Sequence, residues 1–217
     1  LGKQQPTMKA LLATPLHSGS AEREFITGLL AAHGLYAGWI CLEGQANISR
    51  ARDTLAAQFL ATDCTTMVFV DADIGFARRD LERLLTAPFP IVGGLYPRKS
   101  THARWVCVPQ PEELAPVTGH DDLRRVRRVG SGFLRIDRSA LERMIADGAV
   151  GRYQVNGNQI HHFFPSGLLD GEFLSEDYYF CELARLAGLD VHVDTQIRLR
   201  HVGRHVYERR HGASANQ

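Results

Sequence analysis

The chain lacks most of the features by which a sequence announces a compartment or a partner. Its four cysteines among 217 residues, Cys41, Cys64, Cys107 and Cys181, form no CxxC pair and no zinc-ligand spacing. Three of them sit among apolar neighbours, so buried free thiols in a reducing compartment are expected rather than a disulfide framework. No apolar run reaches the length of a membrane span, and the N-terminus has no signal-peptide core; together these predict a cytoplasmic protein. Charge of one sign is not in excess either. With 25 Lys and Arg against 24 Asp and Glu, the formal charge is +1, which gives no general attraction for nucleic acid. Basic residues do gather in LRRVRRVG (123–130) and RHVYERRHG (204–212). Each fits a solvated strand face or tail, or a contact for an anionic acceptor or a membrane surface, so peripheral membrane contact stays open. There is no internal repeat.

What is present is an ordinary globular composition, 44% hydrophobic and 23% charged, in a chain sized for one large domain or two lobes sharing a core. MKALLATPL (8–16) reads as a strand, and AEREFITGLLAAHG as a helix with Phe25, Ile26, Leu29 and Leu30 at helical spacing and Gly34 as its stop. YAGWICLEG reads as a second strand. NISRARDTLAAQFLAT is a helix capped by Asn47 or Ser49. TTMVFVDADIGF, the short helix RRDLERLLTA and the strand FPIVGGLYPRKS follow, a rhythm that predicts an α/β domain with a mainly parallel sheet. Beyond residue 100 the rhythm changes. PQPEELAPVTGHDD (109–122) reads as a loop, LRRVRRVGSGFLRIDR as antiparallel strand, and SALERMIADG as a helix opening on a Ser139-x-x-Glu142 capping box. Residues 151–173, rich in Gly, Asn, His and Phe, predict a long, mobile loop over a site, with His161, His162, Phe163 and Phe164 as acceptor contacts or packing beneath a lid. SEDYYFCELARLAG is a helix capped by Ser175 and stopped by Gly188. LDVHVDTQIRLRHVG is a closing strand, with a disordered tail after Tyr207.

Chemistry gathers at a few points. Asp71 and Asp73 end a buried strand, and two carboxylates one residue apart raise each other's pKa unless a cation or donors compensate. Hard oxygen ligands suit Mg²⁺ or Mn²⁺ sharing substrate phosphates, although an acidic turn explains the pair equally well. Glu176 and Asp177 open a helix, where acids favour the dipole and where a carboxylate is also placed to act as a general base. His201 shares a strand face with Ile197 and Leu199, as a core residue or as a metal ligand. Gly93 and Gly94 permit close backbone approach beside the cations Arg98 and Lys99; GSGF (130–133) brings small residues after a basic strand. A tight turn explains either.

In this order, FVDADIGF, IVGGLYPRK, GSGF, LSEDYYFC and RHVG resemble segments of the metal-dependent nucleotide-sugar glycosyltransferases of the GT-A fold, in their compact bacterial, phage and large-virus form. The resemblance runs from about residue 8 to 207. It implies a single catalytic domain over 8–207, with a nucleotide-sugar-binding half (8–105), an acceptor half (123–207) and flexible tails at 1–7 and 208–217. It also implies a Rossmann-like α/β fold whose mainly parallel sheet is flanked by helices and has a small antiparallel part. Asp71 and Asp73 match the family's Asp-x-Asp, with Asp71 toward the donor ribose and metal and Asp73 on the metal. His201 matches the histidine that completes the metal shell. Thr14, Pro15 and Leu16 match the loop that holds the nucleotide base, and Arg52 matches an arginine facing the donor. Asp53 departs from the asparagine often found next. Lys99 and Ser131 fall where phosphate or sugar contacts are expected. Of Glu176 and Asp177, the resemblance gives Asp177 as the base of an inverting transfer.

The implied activity moves a sugar from a UDP- or GDP-type donor to a hydroxyl of a carbohydrate or glycoconjugate acceptor, with Mn²⁺ or Mg²⁺ as cofactor and no nucleic acid. Two other classes compete. A haloacid-dehalogenase-like phosphatase also has Asp-x-Asp after an apolar strand, but some seventy residues of α/β pattern precede it here. A non-catalytic sugar-nucleotide or glycan-binding module shares the fold without the chemistry. A nucleotidyltransferase on this fold opens on a glycine-rich basic loop, which ATPLHSGS is not.

Overall fold

The computed structural model describes residues 8–99, 106–108, 116–203 and 206–208. Its first half keeps the predicted rhythm: β1 (Ala10–Leu16), α1 (Arg23–Ala31), β2 (Gly38–Glu43), α2 (Ile48–Leu60), β3 (Thr66–Val70), β4 (Ile74–Gly75), α3 (Arg78–Thr86) and β5 (Ile91–Gly94). The second half is richer in strands. It contains β6 (Cys107–Val108), β7 (Pro116–Val117), β8 (His120–Val126), β9 (Arg128–Val129), β10 (Phe133–Asp137), α4 (Arg138–Ala146), β11 (Gly151–Val155), β12 (Asn158–His162), β13 (Gly167–Leu169) and β14 (Glu172–Leu174). The last elements are α5 (Glu176–Leu186), β15 (Val191–Asp194), β16 (Arg200–Val202) and β17 (Val206–Glu208).

Eight strands form the central sheet in the order β2-β1-β3-β10-β5-β15-β8-β7. Six run in one direction, while β10 and β8 oppose them, so β10 enters antiparallel between β3 and β5. Both faces are covered over β1, β3, β10, β5 and β15, where side chains alternate between two buried sides, while the outer strands β2, β8 and β7 expose part of theirs. On one face Leu11, Ala13, Met67, Phe69, Leu134 and Ile136 pack beneath α2, α4 and α5, through residues such as Phe59, Leu141 and Phe180. On the other, Leu12, Val68, Val70, Val92 and Phe133 meet Phe25 and Leu29 of α1 and Leu81 and Leu84 of α3. At roughly 1.5–3 kcal/mol for each large apolar side chain fully buried, this double core outweighs any single polar contact in the molecule.

Several local expectations change. Residues 151–173 are not a loop; they form two hairpins, β11–β12 and β13–β14, turning on Asn156-Gly157 and Asp170-Gly171. All four turn residues have positive φ, at 50° and 82° in each pair, the conformation that Asn-Gly and Asp-Gly hairpin turns supply. The basic stretch from 123 is divided among β8, β9 and β10 rather than forming one strand, and part of the expected loop at 109–122 is the β7–β8 hairpin. The closing strand breaks after Asp194. That carboxylate accepts from the Gln196 amide and pairs with Arg83, which turns the chain before β16.

The α4 cap is Asp137, not Ser139, and no side-chain bond closes a capping box there. Asn47 caps α2 as predicted, accepting from Arg50 N at 3.1 Å. Among the cysteines only Cys64 and Cys181 are buried; Cys41 is exposed and Cys107 half-buried. The tails expected at 1–7 and 208–217 lie outside the described residues except for Glu208, and so do 109–115. No helix among the described residues is long and apolar enough to cross a membrane.

Candidate active site

Because β1 and β3 are parallel neighbours, with Ala13 level with Phe69, the segment Thr14–Leu16 and the Asp71–Asp73 turn emerge at the same end of the sheet. In open α/β sheets that end is where ligands bind. The turn is fixed through its backbone: Asp71 N donates to Gly132 O, Glu22 N to Ala72 O and Val202 N to Asp73 O, at 2.9, 2.8 and 2.8 Å. Three distant segments therefore hold three consecutive residues.

Arg52 ties this turn to the acidic helix start. One turn into α2 and buried over the Phe69 ring, it donates to Asp71 Oδ2 at 3.1 Å and to Glu176 Oε1 at 3.2 Å. Burial opposes the guanidinium's charge, but Asp71 and Glu176 more than compensate and hold its pKa above the ordinary value. Two polar atoms here are buried without a hydrogen bond, Arg52 Nη1 and the Ser131 hydroxyl, and Asp71 Oδ1 has only an ion pair with Arg52 Nη2 at 3.0 Å. Unsatisfied buried groups are costly, and their concentration beside one strand end marks a place prepared for a ligand.

Asp177 stands next in α5. Its Oδ1 accepts from the Ser175 hydroxyl and from Tyr178 N, leaving Oδ2 without a donor among the described residues. Burial and the neighbouring Glu176 charge raise its pKa, which makes its ionised form a stronger base than an ordinary aspartate. Ser175 occupies the predicted N-cap position, yet its side chain serves Asp177 instead of the helix backbone.

Asp73 faces Lys99 at 2.5 Å and His201 Nε2 at 3.5 Å. Burial pushes its pKa up, but the neighbouring His201 and Lys99 outweigh this and leave it below the usual range. His201 places Nδ1 on the Pro97 carbonyl at 2.8 Å. With Nδ1 donating there, Nε2 is left as the ligating nitrogen, a common preparation for metal binding. Among the described residues no three His, Cys, Asp or Glu side chains gather as a metal cluster. The residues fit a divalent cation by donor chemistry all the same: Asp73 and His201 are a hard oxygen and an imidazole side by side, the Asp71 carboxylate two residues earlier is paired to Arg52, and Mg²⁺ or Mn²⁺ takes its remaining ligands from water or phosphate.

The other expected residues are distributed unevenly. Thr14 is buried and accepts from Trp39 Nε1 at 2.9 Å; Leu16 is buried and Pro15 half-buried. Arg98 donates to the Tyr178 hydroxyl. Gly93 and Gly94 serve packing rather than ligand approach, since a Cβ at Gly94 would stand 2.8 Å from Ile197 and Leu199. Phe163 and Phe164 are core residues, and His162 turns toward Asp53.

Tyr96 escaped the motif reading. Its hydroxyl accepts from Gly132 N at 2.9 Å, and a Cβ at Gly132 would lie 2.7 Å from it and 3.1 Å from Asp71. GSGF is thus small because a tyrosine lies on it. Burial and the charges of Asp71 and Asp177 push the Tyr96 phenol far above its usual pKa, so it remains a neutral O–H donor inside the acidic group.

No protein-family profile matches the chain, and no curated protein sequence does. Solved structures do. The crystal structure of A197 from STIV, a viral protein, superposes with a TM-score of 0.59 at 16% identity, over 97% of this chain and 98% of that one. The crystal structure of GalNAc-T7 with UDP, GalNAc and Mn²⁺ superposes with a TM-score of 0.53 at 11% identity, over 92% of this chain but 45% of that one. The fold is GT-A-like. Within a GT-A-like frame, the Asp71–Asp73 turn lies at the strand ends and α5 brings Glu176 to the same arginine.

Proposed function

We propose that the chain is a divalent-metal-dependent glycosyltransferase that moves a sugar from a nucleotide-diphosphate donor to an acceptor hydroxyl with inversion. The observation that carries this reading is the convergence of Asp71 and Glu176 on one buried arginine, with Asp73 paired to His201 beside them and Asp177 presenting a free carboxylate oxygen. One wall is acidic and fit for a metal; the other carries a base.

Asp73 and His201 are the residues that would hold the cation, with Asp71 on the side of the donor ribose. A bound divalent ion would neutralise the diphosphate and stabilise charge on the leaving group. Lys99 adds a mobile positive charge on the phosphate side, while Thr14, Pro15 and Leu16 flank the nucleotide base. The Arg52 guanidinium, held by two carboxylates, has Nη1 buried without a hydrogen bond, and a sugar or ribose hydroxyl that reached it would supply the acceptor. The same holds for the Ser131 hydroxyl. Asp177 accepts the acceptor hydroxyl's proton as its oxygen attacks the anomeric carbon, and Glu176 maintains the raised basicity of that carboxylate. The acceptor belongs to the carbohydrates or glycoconjugates.

The test is thermal unfolding with UDP or GDP, with and without Mn²⁺. A ligand at about 100 times its Kd stabilises by roughly 2.7 kcal/mol. A metal-dependent shift supports the reading, and its absence with every nucleotide diphosphate removes it. Product stereochemistry by NMR then decides the base: retention at the anomeric carbon takes Asp177 out of that role.

A further inference from the structure

Beside α2, on the side away from Asp71, lies an arrangement that the proposed transfer does not use. Asp53 is completely buried. Its Oδ1 accepts from Phe164 N at 2.9 Å, and its Oδ2 accepts from the Tyr153 hydroxyl at 2.9 Å and from His162 Nδ1 at 2.6 Å. An ionised carboxylate only accepts, so Nδ1 carries the proton and His162 is locked in one orientation. Its Nε2 has no partner among the described residues, and about a third of its side chain is exposed, at 37%.

The exposed edge of His162 borders a cavity of about 350 Å³ between the first turn of α2 and the β11–β12 hairpin. Asn47, Ser49 and Arg50 line it from the helix, and Arg152, Tyr153 and His162 from the hairpin. Ser49 is more than nine-tenths buried, at 8% exposure, yet its hydroxyl makes no hydrogen bond among the described residues. Arg50 donates to the Gln45 amide and faces no carboxylate there. The first-turn amides of α2 contribute the positive end of a thirteen-residue helix. Ser49 and Arg50 offer donors from the helix and Arg152 from the hairpin, and the Asp53 carboxylate is consumed by three donors behind His162.

We propose that this cavity is a subsite for a phosphate monoester, bound by Arg50 and the Ser49 hydroxyl as donors, with His162 Nε2 accepting from a P–O–H of the ester. A tetrahedral phosphate that keeps one O–H matches converging donors at a helix start and the single acceptor nitrogen better than a neutral hydroxyl compound does. Asp53 acts here as a positioning residue, holding the imidazole toward the ligand. The inference stands independently of glycosyl transfer, since none of its residues belongs to the Asp73–His201 pair.

The experiment follows the His162 ring signals by NMR in the full chain labelled at histidine, while inorganic phosphate is added. Saturable shifts are expected in the parent protein and unchanged in Asp73→Ala. They should weaken by about tenfold or more in Arg50→Ala and in Ser49→Ala, the loss expected for a charge-assisted bond. Ring shifts absent in the parent, retained at full affinity in Arg50→Ala, or abolished by Asp73→Ala would each overturn the assignment, the last by moving the ion to the diphosphate site. Glucose 6-phosphate distinguishes the source: tighter binding than inorganic phosphate assigns the group to a phosphorylated sugar, and equal binding to free phosphate. Failure of nucleotide to bind leaves these results untouched, so the two proposals fail separately.

Discussion

Arg52 and Arg128 are both guanidinium groups buried to within a few per cent, and each lies between two carboxylates from other parts of the chain. Arg128 of β9 donates to Glu182 of α5 at 2.6 Å and to both oxygens of Glu172 on β14. Glu182 is further bound by Arg127 and Arg185, and burial's upward push on its pKa is outweighed by the neighbouring arginines. Nothing in that cluster is buried without a hydrogen bond among the described residues, whereas Arg52 keeps one such atom, Nη1, and Asp71 Oδ1 has only its ion pair with the same guanidinium. A cluster that satisfies itself holds a hairpin against a helix. One that leaves a buried donor unused has paired its charges only as far as a third party allows.

The strongest break of this comparison is Asp177→Asn. It should lower kcat by about 10² to 10⁴ with nucleotide binding retained, the range for loss of a general base. The same variant should be more stable than the parent at neutral pH, as measured by denaturant unfolding. The sign follows from linkage: a carboxylate whose pKa is raised on folding loses stability as pH climbs from its unfolded value through its folded one, and asparagine removes that loss. Next in size is Arg128→Met, which takes the buried guanidinium from both Glu172 and Glu182 and leaves Glu182 to Arg127 and Arg185; losing these charge-assisted bonds should cost about 3 kcal/mol in urea unfolding without changing nucleotide affinity. Arg52→Met should divide the effects in the opposite sense, with activity falling further than stability. Asp73→Ala should remove the Mn²⁺-dependent part of nucleotide stabilisation, about 2.7 kcal/mol at 100 times Kd, and spare unfolding without ligand.

Smaller still is Tyr96→Phe. It strands the Gly132 amide and should cost about 1 kcal/mol, with a drop in kcat if the phenol touches substrate. The finest adjustment is Glu176→Gln. Because the Glu176 charge helps raise the Asp177 pKa, its removal should move the acid limb of the kcat/KM profile to lower pH. A limb that stays in place would detach Asp177 from that limb.

The elements of the first half were readable because periodicity and caps agree there. Asn47 caps α2, and apolar residues alternate on β1 and β3 between two covered faces. The two hairpins of residues 151–174 were equally readable in principle, since Asn156-Gly157 and Asp170-Gly171 are strong turn signals. Histidines, aromatics and glycines around them obscured the period-two pattern. Tyr96 and the Asp53–His162 pair were hidden for a different reason: their meaning lies in partners 36 and 109 residues away, which no local window contains. Asp53, first seen as a departure from an asparagine, has an explanation in those partners. An acceptor oxygen on each side receives the hairpin's tyrosine, histidine and backbone amide, whereas asparagine would present an N–H₂ to one set of donors.

The Asp71–Asp73 turn has one consequence for how the protein is made. Its three backbone clasps come from Glu22, Gly132 and Val202, so the last one leaves the ribosome long after the aspartates themselves. A nascent chain released before Val202 would have the residues of the turn, and even β3 to carry them, without the final clasp or the imidazole of His201. Competence at this site therefore arrives late and all at once, and an incomplete chain has little means of capturing a donor that it cannot turn over.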